Sequence, residues 1–136
     1  MIAIVDTAPL FAAISESDAN HERCASIFNR RDLDFVVPAL CVAEVCYLIE
    51  QRLTVAHEAA FLRSLAEIEV EAPTPDEWAK IADLVERYGN FPLGGTDASV
   101  VALAERLETD TIVTLDRRHF GTLRMRDGRP FRLLPE

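Results

Sequence analysis

The sequence predicts an α/β sandwich on a mainly parallel central sheet, and three observations carry that expectation. IAIV at residues 2–5 and TIVTL at 111–115 are short β-branched runs without clean polar alternation, the pattern of strands covered on both faces. Stretches of helical periodicity lie between such runs, so strands and helices alternate along the chain. The length of 136 residues suits one domain, expected over 1–136, with a continuous core that needs neither disulfides nor a structural metal.

The elements follow in order. After the strand at 2–5, Asp6 precedes Thr7-Ala8-Pro9 and reads as an N-cap with a proline just inside a helix over about 9–15. Helical spacing recurs at about 19–30, and Phe35 to Val37 is the second strand. Two apolar helices are expected over about 39–52 and 55–66. Ile68 to Ala72, IEVEA, alternates apolar and acidic residues, so one face is wet and the strand belongs near an edge. Thr74-Pro75-Asp76-Glu77 opens a helix over about 75–88 with a capping-box pattern, and Trp78, Ile81, Ala82 and Val85 form its apolar stripe. Gly94-Gly95 leads into a helix over about 97–107 that Thr96 or Asp97 is placed to cap. Asp116 ends the strand at 111–115 and opens a short turn through Phe120, and Phe131 to Leu134 adds a last strand.

Composition excludes several classes. The hydrophobic fraction is 49% and the charged fraction 27%, without low-complexity segments or repeats, as in an ordinary globular protein. The apolar N-terminus has no basic region and is broken by Asp6, so it reads as a core strand rather than a signal peptide. No stretch is long enough to span a bilayer, and a cytoplasmic location is expected. Cys24, Cys41 and Cys46 fit neither a disulfide framework nor a zinc site and read as small core residues. The net charge of −9 argues against a nucleic-acid partner at face value. Its distribution weakens that argument: residues 117–132 hold six arginines against Asp127 alone, so this end is basic and the rest strongly acidic.

Four carboxylates stand out. Asp6 and Asp116 both follow apolar strands, where open parallel sheets bind ligands. Glu44 is the only charge between Ala39 and Ile49, on a helical face with Leu40, Cys41, Tyr47 and Leu48, and a lone carboxylate there is costly unless paired or metal-bound. Asp97 opens an apolar helix. Each alone is explained by a cap, a turn or a water-facing helix edge. Together, two carboxylates about 4 Å apart repel by roughly 4 kcal/mol at an effective dielectric near 20, so a cluster calls for a cation or shared protons. Oxygen ligands favour Mg²⁺ or Mn²⁺ over zinc.

In this order, IVDT, PALCVAEVCYLIE, GGTDASVVALAERL and TIVTLDRRHF resemble the PIN-domain ribonucleases, specifically the VapC-like toxins of bacterial toxin–antitoxin pairs, over essentially the whole chain. The resemblance implies a three-layer α/β/α fold and a metal site of Asp6, Glu44, Asp97 and Asp116, with Thr7 and Thr96 as hydroxyl positions beside it. It also implies RNA cleavage, homodimerisation and inhibition by a small antitoxin that fills the active-site groove. Arg117 and Arg118 are candidate phosphate contacts at the rim. His119 is expected in packing or at the surface. The apolar helices from 39 to 66 would suit a homodimer or an antitoxin helix. Two other readings stand beside this one. A phosphoacceptor signalling domain also places aspartates at strand ends, but it normally uses a lysine near them, and the only lysine is Lys80. A catalytically silent metal-binding interaction module would keep the cation site and cleave nothing.

Overall fold

The computed structural model describes all 136 residues. Strands β1 (Ile2–Val5), β2 (Asp34–Pro38), β3 (Glu69–Glu71), β4 (Thr111–Val113) and β5 (Arg132–Leu134) form one sheet in the order β3-β2-β1-β4-β5. Every neighbouring pair is parallel. The helices are α1 (Thr7–Ile14), α2 (His21–Phe28), α3 (Ala39–Arg52), α4 (Val55–Ser64), α5 (Pro75–Arg87), α6 (Gly95–Arg106) and α7 (Arg117–Thr122).

Parallel neighbours need crossover connections, and these are right-handed almost without exception. The steps from β1 to β2 to β3 run in one direction across the sheet and lay α1 to α4 on one face. The return from β3 to β4 runs the other way and lays α5 and α6 on the opposite face. A three-layer α/β/α sandwich results, with α1 packed on α2 and α3, and α5 on α6.

The sheet is dry because its central residues are apolar on both sides. Ala3, Ile4, Val5, Val36, Val37, Ile112 and Val113 are all fully or almost fully buried. On α3, Cys41, Val45 and Ile49 recur every four residues and form its buried stripe, whereas α6 is buried continuously from Ala98 to Ala104. Phe120 of α7 is 0% exposed, so Phe120→Ala would cost about 3–5 kcal/mol through lost burial and the cavity left behind.

Several boundaries differ from the sequence expectation. α2 begins only at His21 because Asp18 accepts the Asn20 amide at 2.8 Å, a side-chain turn that takes up the preceding residues. α6 begins at Gly95 with Gly94 at its cap, so Thr96 and Asp97 lie inside the first turn rather than capping it. There Asp97 is stabilised by the helix N-terminus. Trp78 is 51% exposed, and α5 instead buries Ile81 and Glu77. Glu77 accepts the Thr74 amide at 2.9 Å and lies 3.2 Å from Arg106 Nε on α6, which makes it both a cap and a buried ion-pair partner.

Candidate metal centre

Strand order reverses between β1 and β4. From β1 the chain builds outward to β2 and β3, and from β4 it builds outward to β5. Beyond the carboxyl ends of the strands at such a point lies the crevice where ligands bind in open parallel sheets.

Register decides which side chains meet there. β1 and β4 pair Ile4 with Ile112 and Val5 with Val113, so the next residues, Asp6 and Thr114, stand opposite each other. The Asp6 amide donates to Val113 O at 2.9 Å, and Thr114 Oγ1 donates to Asp6 Oδ2 at 2.8 Å. Asp6 Oδ1 accepts the Thr7 amide at 2.8 Å, so the same carboxylate caps α1. Asp6 is 5% exposed. Burial pushes its carboxyl up to about 6, against the opposing pull of the Thr114 and Thr7 hydrogen bonds, and the charges of Asp97 and Asp116 add to the rise.

The other acids come from three further elements. Thr7 Oγ1 donates to Glu44 Oε1 at 3.2 Å and ties α3 to the start of α1. Glu44 is exposed, so the apolar-face position read from the sequence is corrected: its carboxylate reaches water at the mouth of the site. Asp97 is half-buried, and its carboxyl is raised first by burial, then by Asp116, with a further contribution from Glu44. Asp116 caps α7, its Oδ1 accepting the His119 amide at 2.9 Å. Its own amide donates to Thr114 Oγ1 at 3.0 Å, so one threonine hydroxyl binds both strand-end aspartates.

Two residues that the sequence left unassigned belong to this arrangement. Thr114 is one, hidden because it reads as part of an apolar strand. His119 is the other: as expected it packs, its ring 4.7 Å from that of Phe91, and it is also bonded to a site carboxylate. His119 Nδ1 lies 2.6 Å from Asp116 Oδ2 and Nε2 lies 3.0 Å from Phe91 O. With an acceptor beside each ring nitrogen, the arrangement suits the doubly protonated, cationic form of the ring. Burial pulls the His119 pKa down, but the Asp116 hydrogen bond and charge outweigh it and hold the imidazole above its ordinary value. Asp97, Asp116 and His119 each bring a possible ligand atom within 4.8 Å of the others.

Of the remaining predicted residues, Thr96 lies in the first turn of α6, where its carbonyl accepts Ser99 Oγ at 2.6 Å. Arg117 donates to the Pro135 carbonyl. Exposed Arg118 lays its guanidinium 5.8 Å from the Phe91 ring centroid, at the rim. Lys80 lies on α5 in a lateral cavity with Asp83 and Arg87, away from the strand-end acids, so the lysine that a phosphoacceptor site uses is missing from them. The acidic set fits a hard divalent cation on its donor chemistry: four carboxylates offer oxygen alone, and a cation would relieve the mutual repulsion that adds to the effect of burial on Asp6 and Asp97.

The chain matches the PIN domain family over residues 3–123. It is 36% identical to ribonuclease VapC26 of Mycobacterium tuberculosis over 134 residues, spanning 97% of this chain and 99% of that protein. Among solved structures it is similar to VapC20 of Mycobacterium tuberculosis, a sarcin–ricin loop cleaving toxin, with a TM-score of 0.74 at 18% identity over 82% of this chain and 87% of the other. VapBC2 of Rickettsia felis, bound to a DNA fragment from its promoter, gives a TM-score of 0.71 at 14% identity over 98% of each chain.

Proposed function

The chain belongs to the PIN-domain family, and from that premise we propose that it is a metal-dependent endoribonuclease, a single catalytic unit over 1–136 acting as the toxin of a toxin–antitoxin pair. The observation that carries the reading is that Asp97 and Asp116 bring ligand atoms within 4.8 Å of each other near the point where strand order reverses, with Asp6 and Glu44 close enough to act on them electrostatically. A near full-length relative that is a ribonuclease supports the same conclusion.

Asp6, Glu44, Asp97 and Asp116 would hold Mg²⁺ or Mn²⁺. Bound there, such an ion supplies an activated water and compensates charge on the leaving oxygen of a phosphodiester. Asp6 is fixed by two hydrogen bonds in a dry strand end, which gives the site a carboxylate that cannot swing away. Exposed Glu44 closes the outer side, held by Thr7. Asp97 or Asp116, the latter oriented by His119, would orient the attacking water. Thr96 flanks Asp97, and Arg118 with the remaining nitrogens of Arg117 contacts phosphates on either side of the scissile bond.

Exposed Tyr47, Val55 and Leu62 on α3 and α4 offer apolar area for a homodimer or for a small antitoxin that covers the groove. No helix is long and apolar enough to cross a membrane, and the protein is proposed to act in the cytoplasm.

The test is cleavage of RNA by purified, antitoxin-free protein with and without Mg²⁺ or Mn²⁺. Activity should require the ion and be lost in Asp6→Asn. Metal-independent activity, or an Asp6→Asn variant as active as wild type, sinks the proposal. Unchanged activity in Glu44→Gln removes Glu44 from the site.

A further inference from the structure

A protein with a net charge of −9 must still hold a polyanion beside four carboxylates. The α5–α6 flank bears on that problem. A cavity of about 320 Å³ opens there between α5, α6 and the segment that follows α7. Lys80, Arg87, Arg124 and Arg126 bring four cations to it against two acids, Asp83 and Glu105. Only Arg126 among the four is ion-paired, to Glu105 at 3.3 Å. Arg124 spends one guanidinium nitrogen on the carbonyls of Gly121, Thr122 and Leu123, which fixes its position. Lys80 and Arg87 have no carboxylate partner.

This cavity and the acidic site share helix α6. Val101 and Glu105 of its lining lie one and two turns along α6 from Asp97, so the two features are about 6–12 Å apart along one helix. Between them stands an aromatic ridge. Tyr88 lines the cavity and lies 6.3 Å from Phe91, which packs 4.7 Å from His119, itself bonded to Asp116. Exposed Arg118 places its guanidinium 5.8 Å from the Phe91 ring centroid. Cations interleaved with aromatic faces are the surface that single-stranded nucleic acid prefers, because phosphates pair with the charges and bases stack on the rings.

Resting on the ribonuclease reading above, we propose that single-stranded RNA leaves the acidic site over Arg118 and Phe91 and lays its backbone into the basic cavity of Lys80, Arg87 and Arg124. The active-site end binds the scissile phosphate, and this flank supplies the sequence-independent affinity that the acidic molecule otherwise lacks.

The test uses full-length, antitoxin-free protein carrying Asp97→Asn to prevent cleavage, and a short fluorescein-labelled single-stranded RNA of mixed sequence read by anisotropy across a salt series. Lys80→Glu with Arg87→Glu should weaken binding roughly tenfold or more and make the salt slope shallower by about 1.4, at about 0.7 per phosphate contact on a single strand. Arg31→Glu with Arg63→Glu changes net charge equally at exposed sites elsewhere and should leave both quantities near those of the parent. Neutral Lys80→Gln with Arg87→Gln, expected to shift the slope the same way, guards against a folding artefact. Equal losses in the two Glu pairs would assign the effect to overall charge and overturn the path. So would unchanged RNA binding in the cavity pair, including the case where that pair loses a protein partner instead. If the cavity pair without Asp97→Asn still cleaves long RNA like wild type, the path fails while the ribonuclease reading stands. If wild type cleaves nothing, that reading fails first.

Discussion

Thr114 donates its hydroxyl to Asp6 across the β1–β4 ladder at 2.8 Å and accepts the Asp116 amide at 3.0 Å. It is 1% exposed, so water cannot replace it. Thr114→Val keeps the shape and removes both bonds, one of them to a buried carboxylate. A hydrogen bond to a charged group contributes about 1.5–3 kcal/mol, and urea denaturation at neutral pH should register a loss of that size. RNA cleavage should fall with it, and Thr114→Ser should restore both. A serine variant no better than valine would mean that packing of the threonine methyl, not the hydroxyl, matters.

Asp6 makes the metal-free protein sensitive to pH. Its folded value of about 6 lies above its ordinary 3.8, so the folded state binds the proton more tightly than the unfolded chain. The stability this contributes is fully present below about pH 4 and is lost as pH rises through 6, an effect of about 3 kcal/mol. Asp97 is raised as well and acts in the same sense. Chemical denaturation in a chelator at pH 4 to 7.5 should show wild type losing stability relative to Asp6→Asn over that window, with the variant the more stable at pH 7. Parallel curves would contradict the buried, raised carboxyl. Saturating Mn²⁺ should recover stability in wild type and much less in the variant, by about 2.7 kcal/mol at a hundredfold excess over Kd.

His119 holds Asp116 from both sides, through its amide at 2.9 Å and its ring at 2.6 Å, and is itself held by Phe91 O. Removing such an outer partner of a site carboxylate costs about 10–100-fold in activity or metal affinity. His119→Ala should lose that much cleavage while its urea midpoint moves little, because the backbone cap on Asp116 survives. Equal activity would place His119 in loop packing alone.

The order of elements was legible in the sequence because each strand is a short β-branched run and each helix has either periodicity or a stop signal. IEVEA alternates, and β3 is indeed an edge strand. The acids were legible as exceptions to an apolar pattern. What stayed hidden was register. Asp6 and Asp116 look equivalent, each ending a strand, yet the ladder sets Asp6 opposite Thr114 and leaves Asp116 two residues further on. No local signal separates TIV from TIVTL; pairing with β1 and β5 does. His119 was hidden for a related reason, since Phe91 O, 28 residues away, fixes its ring and only the tertiary fold brings that carbonyl near. Glu44 misled in the other direction: its apolar neighbours on α3 describe the helix, while the mouth of the site lets this one side chain reach water.

Glu77 tests the packing of α5 on α6 independently of the site. It is 6% exposed, accepts the Thr74 amide through one oxygen, and lies 3.2 Å from Arg106 Nε with the other. Arg106 also reaches Glu71 at 3.6 Å and the Ala72 carbonyl at 3.2 Å, so this pair fastens both helices to the end of β3. Breaking a buried pair by deleting one partner costs about 3–5 kcal/mol, and the lost cap about 1 more. Because Arg106 retains Glu71 and some solvent contact, Glu77→Ala should fall near the low end of the sum, at about 4 kcal/mol by urea denaturation. Glu77→Gln keeps the cap and should cost less. Neither change touches the acidic site, so metal-dependent cleavage at a temperature where both variants are folded should match wild type. Lost activity in a folded Glu77→Gln would mean that α5 communicates with the site through more than its position.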